Sequence, residues 1–371
     1  MSTPAKTDEV PTPEILRLLQ GILELSDARI AAADAAIRQR DEGIAWLRGQ
    51  LNPEGTPEQA AQTATVEKTD TSYAEKLAIE GRKWGGHLQL EASGHWHSWL
   101  CHPIIQANYQ DRTRLDGLVW QEWIGKFRGG PARRSLDLGC GSGGTSLRLH
   151  ASGSALRTEG YDLSEARIAE AERRRIAAGI EGSFRVADVN RLTLPAGTYD
   201  LIVSKESFHH FLELERTMEQ VHEALTPDGL FILEEFTGPS QFQWTNLQML
   251  LVQDRLARLP ERLRVLPWGA VKTEEGRPAP SLVEAESPFE SIRSAEIVPL
   301  FHQYFDIVAV RKLGGTIQQL LYNGIVHNFT LDDRDAVRQV EDLCALENLL
   351  IDRDVIPSNF TLLVGRRKAT A

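Results

Sequence analysis

The chain lacks any run of about 18 uninterrupted apolar residues, so nothing in it reads as a bilayer-spanning helix. Its opening, MSTPAKTDEV, lacks the apolar core of a secretory signal. Cysteine is scarce: Cys101, Cys140 and Cys344 are far apart and odd in number. That argues against a disulfide framework and fits reduced thiols in a cytoplasmic protein. Positive charge is in deficit, with 41 Lys and Arg against 52 Asp and Glu, for a formal net charge of −11. Nucleic-acid backbones and anionic membranes select basic surfaces, so neither is expected as the main partner. Internal repeats and low-complexity tracts are also missing. What is there is ordinary globular composition in 371 residues, enough for one large catalytic domain with additions or for two domains.

The chain divides by pattern. Residues 1–65 read as a helical arm and linker. Leu16, Leu23, Ile30, Ile37, Ile44 and Leu51 recur every seven positions. The second stripe that a coiled coil wants is poor (Leu19, Ser26, Ala33, Arg40, Leu47), and Gly21 and Gly43 weaken the helix. Two readings stay open: an amphipathic helix resting on its own domain, or a short coiled coil that makes a homo-oligomer. Residues 66–130 are aromatic (Trp84, Trp96, Trp99, Trp120, Trp123) and read as cap helices. Residues 131–240 alternate short apolar strands with helices, the mark of a doubly wound α/β sheet. Strands are expected at 135–138, 158–161, 184–187, 199–204 and 230–236, with helices at 164–178 and 214–225. Pro227-Asp228-Gly229 reads as the turn into the fifth strand. Residues 241–304 read as a helical cover, and 305–371 as two last strands, 305–311 and 360–365, around a helical insertion.

The strongest chemical signal is Leu136-Asp137-Leu138-Gly139-Cys140-Gly141-Ser142-Gly143-Gly144. A strand ends in a glycine turn that opens a helix, where backbone can approach a ligand closely. Gly139, Gly141 and Gly144 also satisfy a dinucleotide fingerprint, which alone is weak. Three acids break the tie. Asp137 stands where dinucleotide sites keep an apolar residue, and a carboxylate there can receive the ammonium of a methionine moiety. Asp162 closes the second strand and can accept both hydroxyls of a ribose. Asp188 follows the third strand and can bond an adenine amino group while Val189 packs on the ring.

At this point the sequence resembles the class I S-adenosylmethionine-dependent methyltransferases. The resemblance continues through Tyr199-Asp200-Leu201-Ile202-Val203-Ser204, Phe208-His209-His210 and Leu225-Thr226-Pro227-Asp228-Gly229-Leu230, and covers about 134–236. It implies a Rossmann-like sheet of seven strands with the last antiparallel, and S-adenosylmethionine as cofactor. The implied contacts are Asp137, Gly139, Cys140, Gly141, Gly143, Asp162, Leu163, Asp188 and Val189, with Lys205 contributing its backbone. A finer likeness, to bacterial glycan and natural-product methyltransferases, rests on Glu235-Phe236-Thr237-Gly238-Pro239-Ser240-Gln241-Phe242-Gln243-Trp244, Trp99-Leu100-Cys101-His102-Pro103 and Ser287-Pro288-Phe289-Glu290-Ser291-Ile292-Arg293.

Methylation of a hydroxyl needs a base within reach of its proton. His209 is the first candidate, with a pKa near 6–7, followed by His210, Glu206 and Glu235. Glu234 and Glu235 should face opposite sides of the fifth strand. His95, His97 and His102 cluster in sequence, but a helix would separate their rings, and no metal ligand set is assigned. Mg²⁺ held by acids near the acceptor is not the favoured chemistry. The expected function is O-methylation of a sugar or glycan hydroxyl. The alternatives are methylation of a polyketide or terpenoid, an NAD-dependent reductase on the same glycine turn, and a cofactor-binding scaffold.

Overall fold

The computed structural model describes residues 72–92 and 98–368. The heptad arm, its linker, and His95, Trp96 and His97 lie outside the described residues. Residues Thr71–Ala371 cluster as one compact unit.

In chain order, α1 (Tyr73–Ala92), α2 (Pro103–Arg112) and α3 (Trp120–Arg128) precede the sheet. Then come β1 (Ser135–Leu138), α4 (Gly144–Ala151), β2 (Arg157–Asp162), α5 (Glu165–Ala177), β3 (Glu181–Val186) and β4 (Tyr199–Lys205). They are followed by α6 (Leu214–Ala224), β5 (Leu225–Phe236), α7 (Asn246–Arg258), α8 (Pro280–Glu286) and α9 (Ile297–Tyr304). The chain closes with β6 (Phe305–Gly314), α10 (Gln318–Tyr322), α11 (Arg334–Asp352) and β7 (Phe360–Arg367).

These strands form one seven-stranded sheet in the order β3-β2-β1-β4-β5-β7-β6. β1 to β5 run parallel, and β7 inserts antiparallel to both β5 and β6. β1 is buried at all four positions because helices cover both faces of a parallel sheet. On one face Leu136, Leu138, Ile202, Phe231 and Leu233 pack with Leu214, Met218 and Val221 of α6 and Phe301 of α9. The reversed β7 and the strand order are those expected for the class I methyltransferase architecture.

One local expectation needs correcting. Pro227-Asp228-Gly229 does not precede β5 but falls inside it. Leu225 pairs with Tyr199 and Leu230 with Leu201, so the register shifts between them. Pro227 cannot donate to the ladder, and the extra residues are taken up as an irregularity rather than as a separate turn. Among the described residues no helix is long and apolar enough to cross a membrane. Cys140 and Cys344 are buried free thiols.

Candidate active site

The glycine turn is shaped by what lies above it. Gly139 has φ +69°, and a Cβ there would sit 2.3 Å from Ser207 Oγ. Only glycine fits both the backbone angle and the space. Gly141, at φ +51°, turns its N–H to donate to Asp162 Oδ2 at 2.8 Å. The other oxygen of Asp162 accepts from Ser164 N at 2.8 Å at the head of α5. Asp162 therefore clamps the turn to the end of β2, and it also lines the cavity above.

That cavity has a volume of about 440 Å³. Its walls include Gly139, Cys140, Gly141, Asp162, Leu163, Asp188, Val189 and Lys205 from the predicted set. Asp188 accepts from Asn190 N at 3.0 Å and from Tyr73 Oη at 2.7 Å, which ties β3's exit to α1. Two predicted residues do not reach the wall. Gly143, at φ +79°, only starts α4. Asp137 is 1% exposed, beneath the turn, and accepts from Ser146 Oγ at 2.7 Å. Burial pushes its carboxyl up to about 6, the Ser146 hydroxyl opposes this, and the charge of Asp162 adds to it. An ammonium contact from Asp137 across this wall is not what the geometry offers.

A second cavity, about 690 Å³, has an aromatic wall of Trp99, Phe236, Phe242, Trp244 and Phe360. Its polar positions include Glu206, Glu275, Arg277, Glu290, Gln319 and Asn323. Lys272 Nζ donates to the carbonyls of Leu320 at 2.8 Å and Asn323 at 2.9 Å, and pairs with Glu275 at 2.5 Å. This buried ammonium fixes that side of the wall. Trp84 and Glu206 line both cavities, so the two spaces adjoin at these side chains.

Glu206 stands at that junction with φ +50°, a costly backbone angle for a residue with a side chain. The turn after β4 holds it there. Glu206 N donates to Glu234 O at 2.8 Å, and Glu235 accepts from the N–H groups of Ser207 and Phe208. The Glu206 carboxylate pairs with Lys205 Nζ at 2.6 Å, and Lys205 also pairs with Glu234. Burial would lower the Lys205 pKa, but Glu206 and Glu234 outweigh it and keep the ammonium charged.

The four candidate bases separate clearly. Glu235 is fully buried and lines neither cavity; it accepts from Ser207, Phe208, Phe236 and His209 Nδ1. Its carboxylate is spent on holding the turn, so it is withdrawn as a base. Glu234 is likewise buried, bonded to Trp120 Nε1 at 2.6 Å. His209 lines the second cavity, with Nδ1 on Glu235 and Nε2 3.5 Å from Glu290 Oε1. Burial alone would lower its pKa, but Glu235 and Glu290 outweigh that and raise it to about 10. The expected titration near 6–7 is therefore displaced upward, because the two carboxylates favour the protonated ring. His210 lines the first cavity, edge-on to Trp84, with ring centroids 5.1 Å apart.

Several wall residues were not anticipated. Glu80 and Trp84 come from α1, and Phe289 and Glu290 come from the loop after α8. Burial would raise the Glu290 carboxyl, but His210, His209 and Lys83 hold it well below the ordinary range. Only the resemblance of the 287–293 segment hinted at that loop. His102 is settled as structural: Nδ1 accepts from Ile104 N at the head of α2, and Nε2 is 2.8 Å from Phe329 O.

The central part of the chain is similar in sequence to known methyltransferases. Residues 136–229 match the family described as "Methyltransferase domain". Over 107 residues the chain is 30% identical to the demethylmenaquinone methyltransferase of Thermus thermophilus, covering 29% of this chain and 49% of that protein. Over 155 residues it is 30% identical to the 27-O-demethylrifamycin SV methyltransferase of Amycolatopsis mediterranei, covering 41% and 52%. The chain thus spans about half the length of these relatives. A solved geranyl diphosphate C-methyltransferase from Streptomyces coelicolor is 14% identical, with a TM-score of 0.46, covering 79% of this chain and 98% of that one.

Proposed function

We propose, for a chain whose central domain belongs to the class I S-adenosylmethionine-dependent methyltransferases, that it transfers a methyl group from S-adenosylmethionine in the first cavity to a hydroxyl of a sugar or glycosylated metabolite in the second. The observation that carries this is the junction of the two cavities at Trp84 and Glu206. A donor and an acceptor must meet in line, and positioning supplies much of the rate. The cofactor, when bound, supplies a methyl on a sulfonium, already activated for displacement.

The residues fit such a cofactor. In this reading Asp162 takes the ribose hydroxyls, Asp188 and Val189 the adenine, and the amides after Gly139 the remaining polar atoms, which their shared cavity wall supports. Glu206 takes the role of base, because its carboxylate borders both spaces. It receives the acceptor's proton as the new bond forms, and the strained backbone fixes its direction. His209, held by two carboxylates, positions Glu290 on the acceptor side.

The second cavity supports the sugar reading by its two characters. An aromatic wall suits the apolar face of a sugar ring, and the carboxylates and amides opposite suit its hydroxyls. The rifamycin relative keeps a second reading open, in which the acceptor is an unglycosylated natural product. Incubation with methyl-labelled S-adenosylmethionine and matched pairs of glycosides and aglycones separates the two. Label on the sugar of the glycoside is the expected result. Label on the aglycone alone would turn the assignment to the second reading.

A further inference from the structure

His209, His210 and Glu290 meet beside the junction of the two cavities. One ligand-capable atom from each lies within 4.8 Å of the other two. Nε2 of His209 is 3.5 Å, and Nε2 of His210 3.9 Å, from Glu290 Oε1. Around a tetrahedral ion with ligands at about 2.0–2.2 Å, ligand atoms stand roughly 3.4 Å apart. The two separations to Glu290 need only a small contraction to meet that.

What stands behind the three residues argues further. Each imidazole has a carboxylate on the far side of its ring: Glu235 takes His209 Nδ1, and Glu80 Oε1 lies 3.0 Å from His210 Nδ1. Carboxylates so placed fix the ring orientation of ligating histidines and raise their basicity. Both Nε2 atoms are turned toward Glu290, and a bound cation would displace to solvent the proton that the carboxylates favour on His209. The contact between His210 and Glu80 is close in distance but not well directed, and neither ring nitrogen of this largely buried side chain has a well-formed hydrogen bond within the structure. Glu290 is steadied through its other oxygen, with Lys83 Nζ 3.3 Å from Oε2, so Oε1 remains for a ligand.

We propose that His209, His210 and Glu290 form a binding site for a divalent transition-metal ion, best matched to zinc. Two imidazoles and one carboxylate are a zinc donor set; magnesium and calcium take oxygen ligands throughout. His209 and Glu290 line the second cavity, so the fourth coordination position opens to the acceptor side. An acceptor hydroxyl or a water would complete the shell there. A hydroxyl so bound is acidified. The site stands on its own geometry and holds whichever acceptor the second cavity takes.

The test uses the full chain, stripped with a chelator, dialysed metal-free and titrated with Zn²⁺ against a chromophoric competitor. The expected result is one ion per chain. His210→Ala and Glu290→Gln should each weaken binding by at least roughly tenfold, and Glu80→Gln by a smaller factor. His222→Ala, outside the cluster, should leave it unchanged. Circular dichroism and thermal melting of each variant report that the fold is intact, and binding of S-adenosylhomocysteine by the wild-type chain tests the cofactor reading separately. Should His210→Ala misfold, Co²⁺-loaded wild type gives a second readout: visible d–d absorption that Glu290→Gln abolishes. A wild-type chain that takes up no stoichiometric Zn²⁺ would overturn the proposal and leave a hydrogen-bonded imidazole–carboxylate network. Zn²⁺ uptake unaltered in both His210→Ala and Glu290→Gln would overturn it equally.

Discussion

At the scale of single residues, the acids divide by what they touch. Glu206 borders both cavities on a strained backbone, while Glu235 borders neither and is saturated with donors. General-base help is worth about 10²–10⁴-fold. Glu206→Gln should lower turnover by that order while S-adenosylhomocysteine affinity stays nearly unchanged. Calorimetry beside initial rates checks both, and wild-type turnover in this variant would remove Glu206 from the chemistry. Asp137 gives a prediction about stability. Its folded pKa is raised to about 6, so the folded state holds its proton more tightly than the unfolded chain. The stabilisation this confers is complete below the ordinary aspartate pKa and is lost as pH rises through about 6. At pH 7.5 the buried charge costs on the order of 2–3 kcal/mol. Denaturant midpoints at pH 5 and 7.5 should show a gain on acidification that Asp137→Asn, which keeps an acceptor for Ser146, reduces. An equal gain in both proteins would mean that other groups carry the pH dependence.

At the scale of elements, the site depends on two joints. One is the turn between β1 and α4, where the space above Gly139 is filled by Ser207. The other is the turn after β4, which Glu235 binds to the end of β5. Removing one member of a buried charge pair typically costs about 3–5 kcal/mol, because the other is left uncompensated. Glu235→Ala should destabilise by that amount through His209 and the two freed amides, as urea melts would show. A loss below about 1 kcal/mol would mean that the turn holds without it. These joints also explain what could be read from sequence. β1, β4 and β5 were legible because buried strands are short apolar runs, whereas β2 and β3 are largely polar and part-exposed and were legible only through their alternation with helices. Asp162, Asp188 and the glycines were legible because the ends of neighbouring strands stay close in space whatever the helices do. Asp137 was legible as an acid, but its depth beneath the turn was not. Glu80, Trp84 and Glu290 were not legible as a set. They come from α1 and from the loop after α8, and nothing local to either segment marks the other as its neighbour. The rise in the His209 pKa had the same origin, since it is set by Glu235 and Glu290 from two different elements.

At the scale of the whole molecule, the described unit carries both cavities, and α1 is part of their walls. Residues 1–65 should therefore be dispensable for cofactor binding, whereas a cut that also removes α1 should abolish it. Loss of α1 deletes Glu80 and Trp84 and frees Asp188 from Tyr73. If the heptad stripe is an assembly device, the shorter truncation should keep its cofactor affinity and lose mass in solution. Light scattering on both forms decides this, and an unchanged subunit number would count against the arm. The central claim is that the glycine turn and its acids hold S-adenosylmethionine and not a dinucleotide. Titration calorimetry of the purified chain with S-adenosylhomocysteine and with NAD tests it most directly. The account predicts stoichiometric binding of the first, no binding of the second, and a loss of roughly 1.5–3 kcal/mol in Asp162→Asn, where the ribose hydroxyls lose a charged acceptor. Saturable binding of NAD with no response to S-adenosylhomocysteine or S-adenosylmethionine would contradict it.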